Sequence, residues 1–131
     1  MADYRDHNAE IRSAGANVVA VSVDSPEKSE ALRRELGLPF PILCDTERRV
    51  VKDWGIYNSK ERGGIAKPAL LVIDHRDRTV KYSKIDHVAM RVPAIEIVRI
   101  LRGTGQREAQ RKIGIPRLSD FFRAIRNMLR S

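Results

Sequence analysis

The chain has 131 residues, with 25 Lys/Arg against 17 Asp/Glu, a formal net charge of +8 and a single cysteine. That length fits one domain able to bury a core without staples, and a lone cysteine excludes an internal disulfide. Aliphatic residues dominate its apolar content, and no stretch reads as a signal peptide or a membrane span, so a cytoplasmic protein is the expectation.

In chain order, two periods alternate. Tyr4, His7, Ile11 and Ala14 recur at helical spacing, and Gly15 follows where a C-terminal cap belongs. "NVVAVSVD" (17–24) is short and β-branched, the composition of a strand covered on both faces. A helix follows, with Ser25 as its cap, Pro26 in its first turn and Gly37 at its close. "FPILC" (40–44) reads as a second strand, "TERRVVKDW" (46–54) as a short helix, and residues 55–66 as a polar loop. "ALLVID" and "RTVKYSKI" form a hairpin about "DHRD", and "PAIEIVRILRG" (93–103) is a last helix started by Pro93 and ended by Gly103. Strands alternating with helices imply an α/β sandwich.

"VVAVSVDSPEKSEALRRELGLPFPILCDTERRVVKDWGI", "GIAKPALLVID" and "RVPAIEIVRIL" resemble, in order, the peroxiredoxin-type members of the thioredoxin superfamily, the redoxin and AhpC/TSA proteins. The resemblance runs over residues 2–101. It implies a thioredoxin-like mixed sheet flanked by helices, forming a domain over residues 1–102, with a basic extension over 103–131. The implied activity is thiol-dependent reduction of hydroperoxides, or thiol–disulfide exchange. The implied partners are a thioredoxin-type reductant and a hydroperoxide or disulfide substrate, with no cofactor or metal, and a homo-oligomer is open. In such proteins a cysteine at a helix N-terminus is the nucleophile, because the helix end and nearby positive charge lower its pKa from about 8.5.

Two departures qualify the resemblance. The family's nucleophile lies on the first turn of the helix that corresponds to residues 2–14, and that helix here starts with the chain. The Pro-x-x-x-Thr-x-x-Cys signature and the strand leading into it are absent. Cys44 ends a different strand and is a weak candidate thiol, read as structural, with a resolving or sensing role as the alternative. The chain alone is therefore expected to be inactive, and an oxidoreductase stands against a non-catalytic interaction module as the two readings of function. The second departure is Pro68, where many family members carry an arginine. A cis bond is expected there, as in thioredoxin-like reductases, with Lys67 beside the active-site edge; a trans proline opening a strand is the alternative.

The absent strand would lie between those resembling "VVAVSVD" and "ALLVID". Each backbone group it leaves unpaired and buried costs about 1–3 kcal/mol. Three resolutions are expected as alternatives: further chain upstream of Met1, direct closure of the two strands on each other, or an edge supplied by a partner.

The extension carries seven Lys/Arg against two Asp/Glu, most of the net charge. Leu118, Phe121, Phe122, Ile125, Met128 and Leu129 form one helical stripe ringed by arginines. An extra packed helix is the expectation, with an anionic membrane surface or nucleic acid as alternatives. His7, His75 and His87 lack metal-ligand spacing. Asp24, Asp45 and Asp74 end strands and read as caps and turn formers.

Overall fold

The computed structural model describes residues 1–60, 64–85 and 92–103. Apart from Gly103, the expected basic extension and its helix lie outside the described residues. The elements run α1 (Ala2–Asp6), α2 (Asn8–Ser13), β1 (Ala20–Ser22), α3 (Pro26–Glu35), β2 (Ile42–Cys44), α4 (Arg49–Asp53), β3 (Tyr57–Asn58), β4 (Ile65–Ala66), β5 (Ala69–Asp74), β6 (Thr79–Ile85) and α5 (Ala94–Leu101). This is the expected α/β alternation.

The first helix is broken at His7, whose φ of −99° and ψ of 10° leave the helical region. Its ring Nδ1 lies 2.9 Å from the Asp3 carbonyl, which the His7 backbone N–H also uses at 3.1 Å. A side chain that competes for the carbonyl four residues back loosens the turn. The periodic face survives the break: Ile11 is buried against Ala94 and Val98 of α5, with Tyr4, Ala16, Val18 and Leu101 around them.

α3 begins and ends as its sequence directs. Ser25 Oγ accepts from the Lys28 N–H at 3.4 Å, and Pro26 occupies the first turn. At the other end the N–H of Gly37 reaches Arg34 O at 3.1 Å and that of Leu38 reaches Arg33 O at 2.9 Å. That is a Schellman closure, and it requires the positive φ of 58° that Gly37 supplies without strain. The closure drops Leu38, 2% exposed, into a second cluster with Phe40 and Ile42. Tyr4 and Val18 pack on both clusters and join them.

The strands pair as three separate two-stranded sheets among the described residues: β1 with β2 in parallel, and β3 with β4 and β5 with β6 antiparallel. Direct closure of β1 on β5 is therefore not the arrangement adopted. Nor is the strand at residues 17–24 covered as fully as its composition implies, because residues 18–23 are all half-buried. Coverage on both faces needs a neighbour at each edge as well, and among the described residues β1 has one.

The segment expected as a polar loop contains the β3–β4 ladder, Tyr57 opposite Ala66 and Asn58 opposite Ile65. The β5–β6 hairpin forms as expected. Asp74 accepts from the Arg76 N–H at 2.9 Å, and Asp77 takes the backbone N–H and hydroxyl of Thr79 at 3.0 and 2.7 Å. With Lys81 Nζ also 2.7 Å away, the Asp77 carboxyl is pulled down to about 2.

α1 and α5 are tied at their ends. Asp3 Oδ2 accepts from the Ala94 N–H at 2.7 Å, capping α5, and the Tyr4 hydroxyl donates to Val92 O at 2.9 Å. Burial, reinforced by the Asp3 charge, pushes the Tyr4 phenol from 10.0 up to about 12. The unfolded chain releases this proton first, so the folded state loses stability as pH rises from about 10 towards 12. Tyr4→Phe is expected to cost about 1 kcal/mol at pH 7, the worth of one such hydrogen bond. Its stability should fall less steeply than that of the parent chain over that alkaline window. Urea titrations of both proteins at pH 8, 10 and 11 check the crossover.

Candidate functional site

Cys44 closes β2, paired opposite Ser22 of β1. Its side chain is half-buried, and Sγ points to the carbonyl of Ile42 at 4.0 Å. A carbonyl oxygen accepts from a thiol and offers nothing to a thiolate. Among the described residues no cationic group hydrogen-bonds to Sγ.

The next residue decides what the following helix can do for that sulfur. Asp45, 9% exposed, turns both carboxylate oxygens onto α4: Oδ1 accepts from the Arg49 N–H at 2.9 Å and Oδ2 from the Val51 N–H at 3.0 Å. These are the amides that a helix N-terminus presents to an anion. Asp45 takes them and places its own charge beside Cys44. The cap role read from the sequence is realised at Asp45, and Asp74 likewise holds its turn. At the end of β1, Asp24 Oδ2 accepts from the Ser22 hydroxyl at 2.8 Å.

α4 also carries the segment that leads to Pro68. Val51 is 1% exposed in the core, and Ile56 N–H bonds back to Val51 O at 2.9 Å. The Ile56 carbonyl then accepts from the Lys67 N–H at 2.7 Å, so the chain entering β5 is pinned to the end of α4. A second tie comes from Arg48, whose Nε donates to Gly64 O at 2.9 Å and Nη1 to Thr46 O at 3.1 Å. Arg48 holds a left-handed backbone with φ 56° to make that reach. Gly64 lies against the Tyr57 ring, and a β-carbon there would run into the phenol. Lys52 sits over the other part of this group, 5.1 Å from the Tyr57 ring centroid.

The Arg48–Gly64–Tyr57 bracket was not foreseen from the sequence. Nothing in a local pattern marks an arginine for the left-handed region, since its cause is a carbonyl sixteen residues away. The cis bond expected before Pro68 is not formed: no described peptide bond is cis. Lys67 and Pro68 are the two-residue link from β4 to β5, in the trans form that X–Pro bonds favour. Lys67 is half-buried and Pro68 exposed. The structure thus sets Cys44, Asp45, α4, Lys67 and Pro68 along one run of tied segments. No group of three or more His, Cys, Asp or Glu able to hold a metal ion occurs among the described residues. None of their helices is long and apolar enough to cross a membrane.

Comparison with known proteins gives one family. The sequence model described as the AhpC/TSA family matches residues 1–83. A Mycobacterium tuberculosis protein bearing the name peroxiredoxin is 44% identical over 62 residues, which are 47% of this chain and 40% of that protein. Peroxiredoxin Q of Sedum lineare chloroplasts is 40% identical over 53 residues, covering 40% of this chain and 28% of that one. Among solved structures, the peroxidoxin BcpB of Mycobacterium tuberculosis superposes with a TM-score of 0.69 at 23% identity, over 80% of this chain and 68% of that one. At that identity the likeness speaks for the fold, which is thioredoxin-like. The chain's matches span less than half the length of these curated relatives.

Removing the Asp45 carboxylate orphans two amides at the start of α4. Asp45→Ala is expected to lower stability by about 2 kcal/mol, in the range for hydrogen bonds to charged groups, and Asp45→Asn by less, because one acceptor oxygen remains. Urea unfolding of both variants with an unchanged m-value checks this order.

Proposed function

The chain belongs to the AhpC/TSA family, and on that premise we propose that it is part of a peroxiredoxin-like antioxidant oxidoreductase. The chemistry is thiol-dependent reduction of a hydroperoxide, or exchange with a disulfide, with a thioredoxin-type reductant as the recycling partner. A cytoplasmic compartment and a homo-oligomer belong to the same reading. So does the division into a redoxin domain, 1–102, and a basic extension, 103–131.

These 131 residues do not perform that chemistry unaided. The observation that carries this is the setting of the one cysteine. Peroxide attack needs a thiolate, and a thiolate needs cations or free helix amides. Around Cys44 those amides are taken by Asp45, and Sγ donates to a carbonyl oxygen, that of Ile42, at 4.0 Å. Cys44 supports the packing at the end of β2, and Lys67 and Pro68 would border the substrate once a reactive cysteine faces them.

The second reading is a non-catalytic thioredoxin-like module that works through its surface and its basic extension. It is favoured by the same cysteine geometry together with the concentration of positive charge beyond residue 103.

Hydrogen peroxide added to the 131-residue chain with a thioredoxin and thioredoxin-reductase couple is expected to give no NADPH consumption above the protein-free rate. The Cys44→Ser variant should behave identically. Turnover by the parent chain that vanishes in Cys44→Ser would overturn the assignment of Cys44 as structural.

A further inference from the structure

α5 starts without a cap of its own. Its N-cap position is Pro93, which has no side-chain acceptor to offer, so the amides of the first turn need one from elsewhere. Asp3 supplies it across 91 positions of chain: its Oδ2 accepts from the Ala94 N–H at 2.7 Å. The other oxygen of the same carboxylate, Oδ1, lies 3.1 Å from Nδ1 of His7. One carboxylate therefore touches both a titratable ring and the start of a helix. α1 turns into α2 at His7 itself, so the ring sits at the hinge of the segment that carries Asp3.

Nδ1 faces two acceptors, since the Asp3 carbonyl is also 2.9 Å away. It must carry a proton to satisfy them. The imidazolium always does; the neutral ring does so in one of its two tautomers, and without charge. The surroundings favour the charged ring. The bond to the Asp3 carbonyl raises its pKa above the ordinary 6.5, desolvation opposes the rise, and the charges of Asp3, Glu10 and Asp6 add to it. Asp6 is itself paired with Arg5 at 2.7 Å. From the other side, Val92, Pro93 and Ala94 bring no ionisable side chain, and Glu96, the first on α5, is engaged with Arg99 at 3.5 Å. The Tyr4 phenol, bonded to Val92 O at 2.9 Å, keeps its proton until far above neutrality.

We propose that His7 and Asp3 form a pH-responsive clasp, in which protonation of the His7 ring fixes the Asp3 carboxylate on the N-terminus of α5 and loss of that proton relaxes it. A ring charged more readily in the folded chain stabilises it below pH 6.5, and that contribution fades as pH rises through the folded pKa. Water reaches both groups, so the clasp changes by about two- to fivefold in its opening and is not abolished. The Tyr4 bond holds Val92 throughout, so α1 loosens at the cap and stays attached. The clasp operates with or without the proposed oxidoreductase activity.

The test follows the full 131-residue chain by NMR between pH 5.5 and 8, reading the His7 ring protons and the amide exchange of Ala94. After correction for intrinsic exchange, Ala94 protection is expected to fall about two- to fivefold, with the midpoint of the His7 ring. The Arg102 amide, bonded to Val98 O at 3.0 Å, should stay constant. In Asp3→Asn the His7 midpoint should move back towards 6.5, and in His7→Gln the pH dependence of Ala94 should vanish. Constant Ala94 protection in the parent chain would overturn the proposal. So would a fall that persists in His7→Gln, by assigning it to another group, or a His7 midpoint unmoved in Asp3→Asn. An equal fall at Arg102 would mark a change of the whole fold, again against a local clasp.

Discussion

A parallel pair three residues long sets the terms for the rest of this molecule. Ala20 and Ser22 commit their backbone groups to Pro41 and Asp45, and the geometry of a parallel ladder then obliges Val21 to face the other way. From that pairing follows where β2 ends, hence where Cys44 and Asp45 sit. Asp45 in turn starts α4, α4 holds Ile56, and the Ile56 carbonyl holds Lys67 at the entrance to β5. One short ladder therefore positions a cysteine, a buried carboxylate and the lead into the apolar hairpin, while no strand among the described residues pairs with its second edge.

The same chain of contacts explains why a fold associated with reactive thiols surrounds its only cysteine with groups that do not activate it. A helix N-terminus follows Cys44 in sequence, which on spacing alone would favour an anion. The buried carboxylate beside it answers those amides first, at 2.9 and 3.0 Å. Stability and reactivity compete for the same donors here, and stability holds them. The bracket of Arg48, Gly64 and Tyr57 serves the same end, locking the connection between α4 and β5.

Much of the fold was legible because its signals are local. Ser25, Pro26 and Gly37 mark both ends of α3 by hydrogen bonds within a few residues, and the hairpin turn is written in Asp74 and Asp77. What failed to show in sequence depends on distant partners. His7 breaks a periodic helix through its own ring; β3 and β4 find each other across a loop; and the bond before Pro68 is trans. The composition of residues 17–24 announces a strand covered on both faces, whereas residues 18–23 are half-buried. At the site, the cap role of Asp45 was readable from its position after a strand, whereas the Arg48 clamp was not.

Amide hydrogen exchange resolved by NMR tests the pairing of β1 most directly. In the 131-residue chain at neutral pH, the amides of Ala20 and Asp45 should be protected by their bonds within the ladder, and the amide of Val21 between them should exchange orders of magnitude faster. Protection of Val21 equal to that of Ala20 would mean that the second edge of β1 is already closed, and would contradict the account.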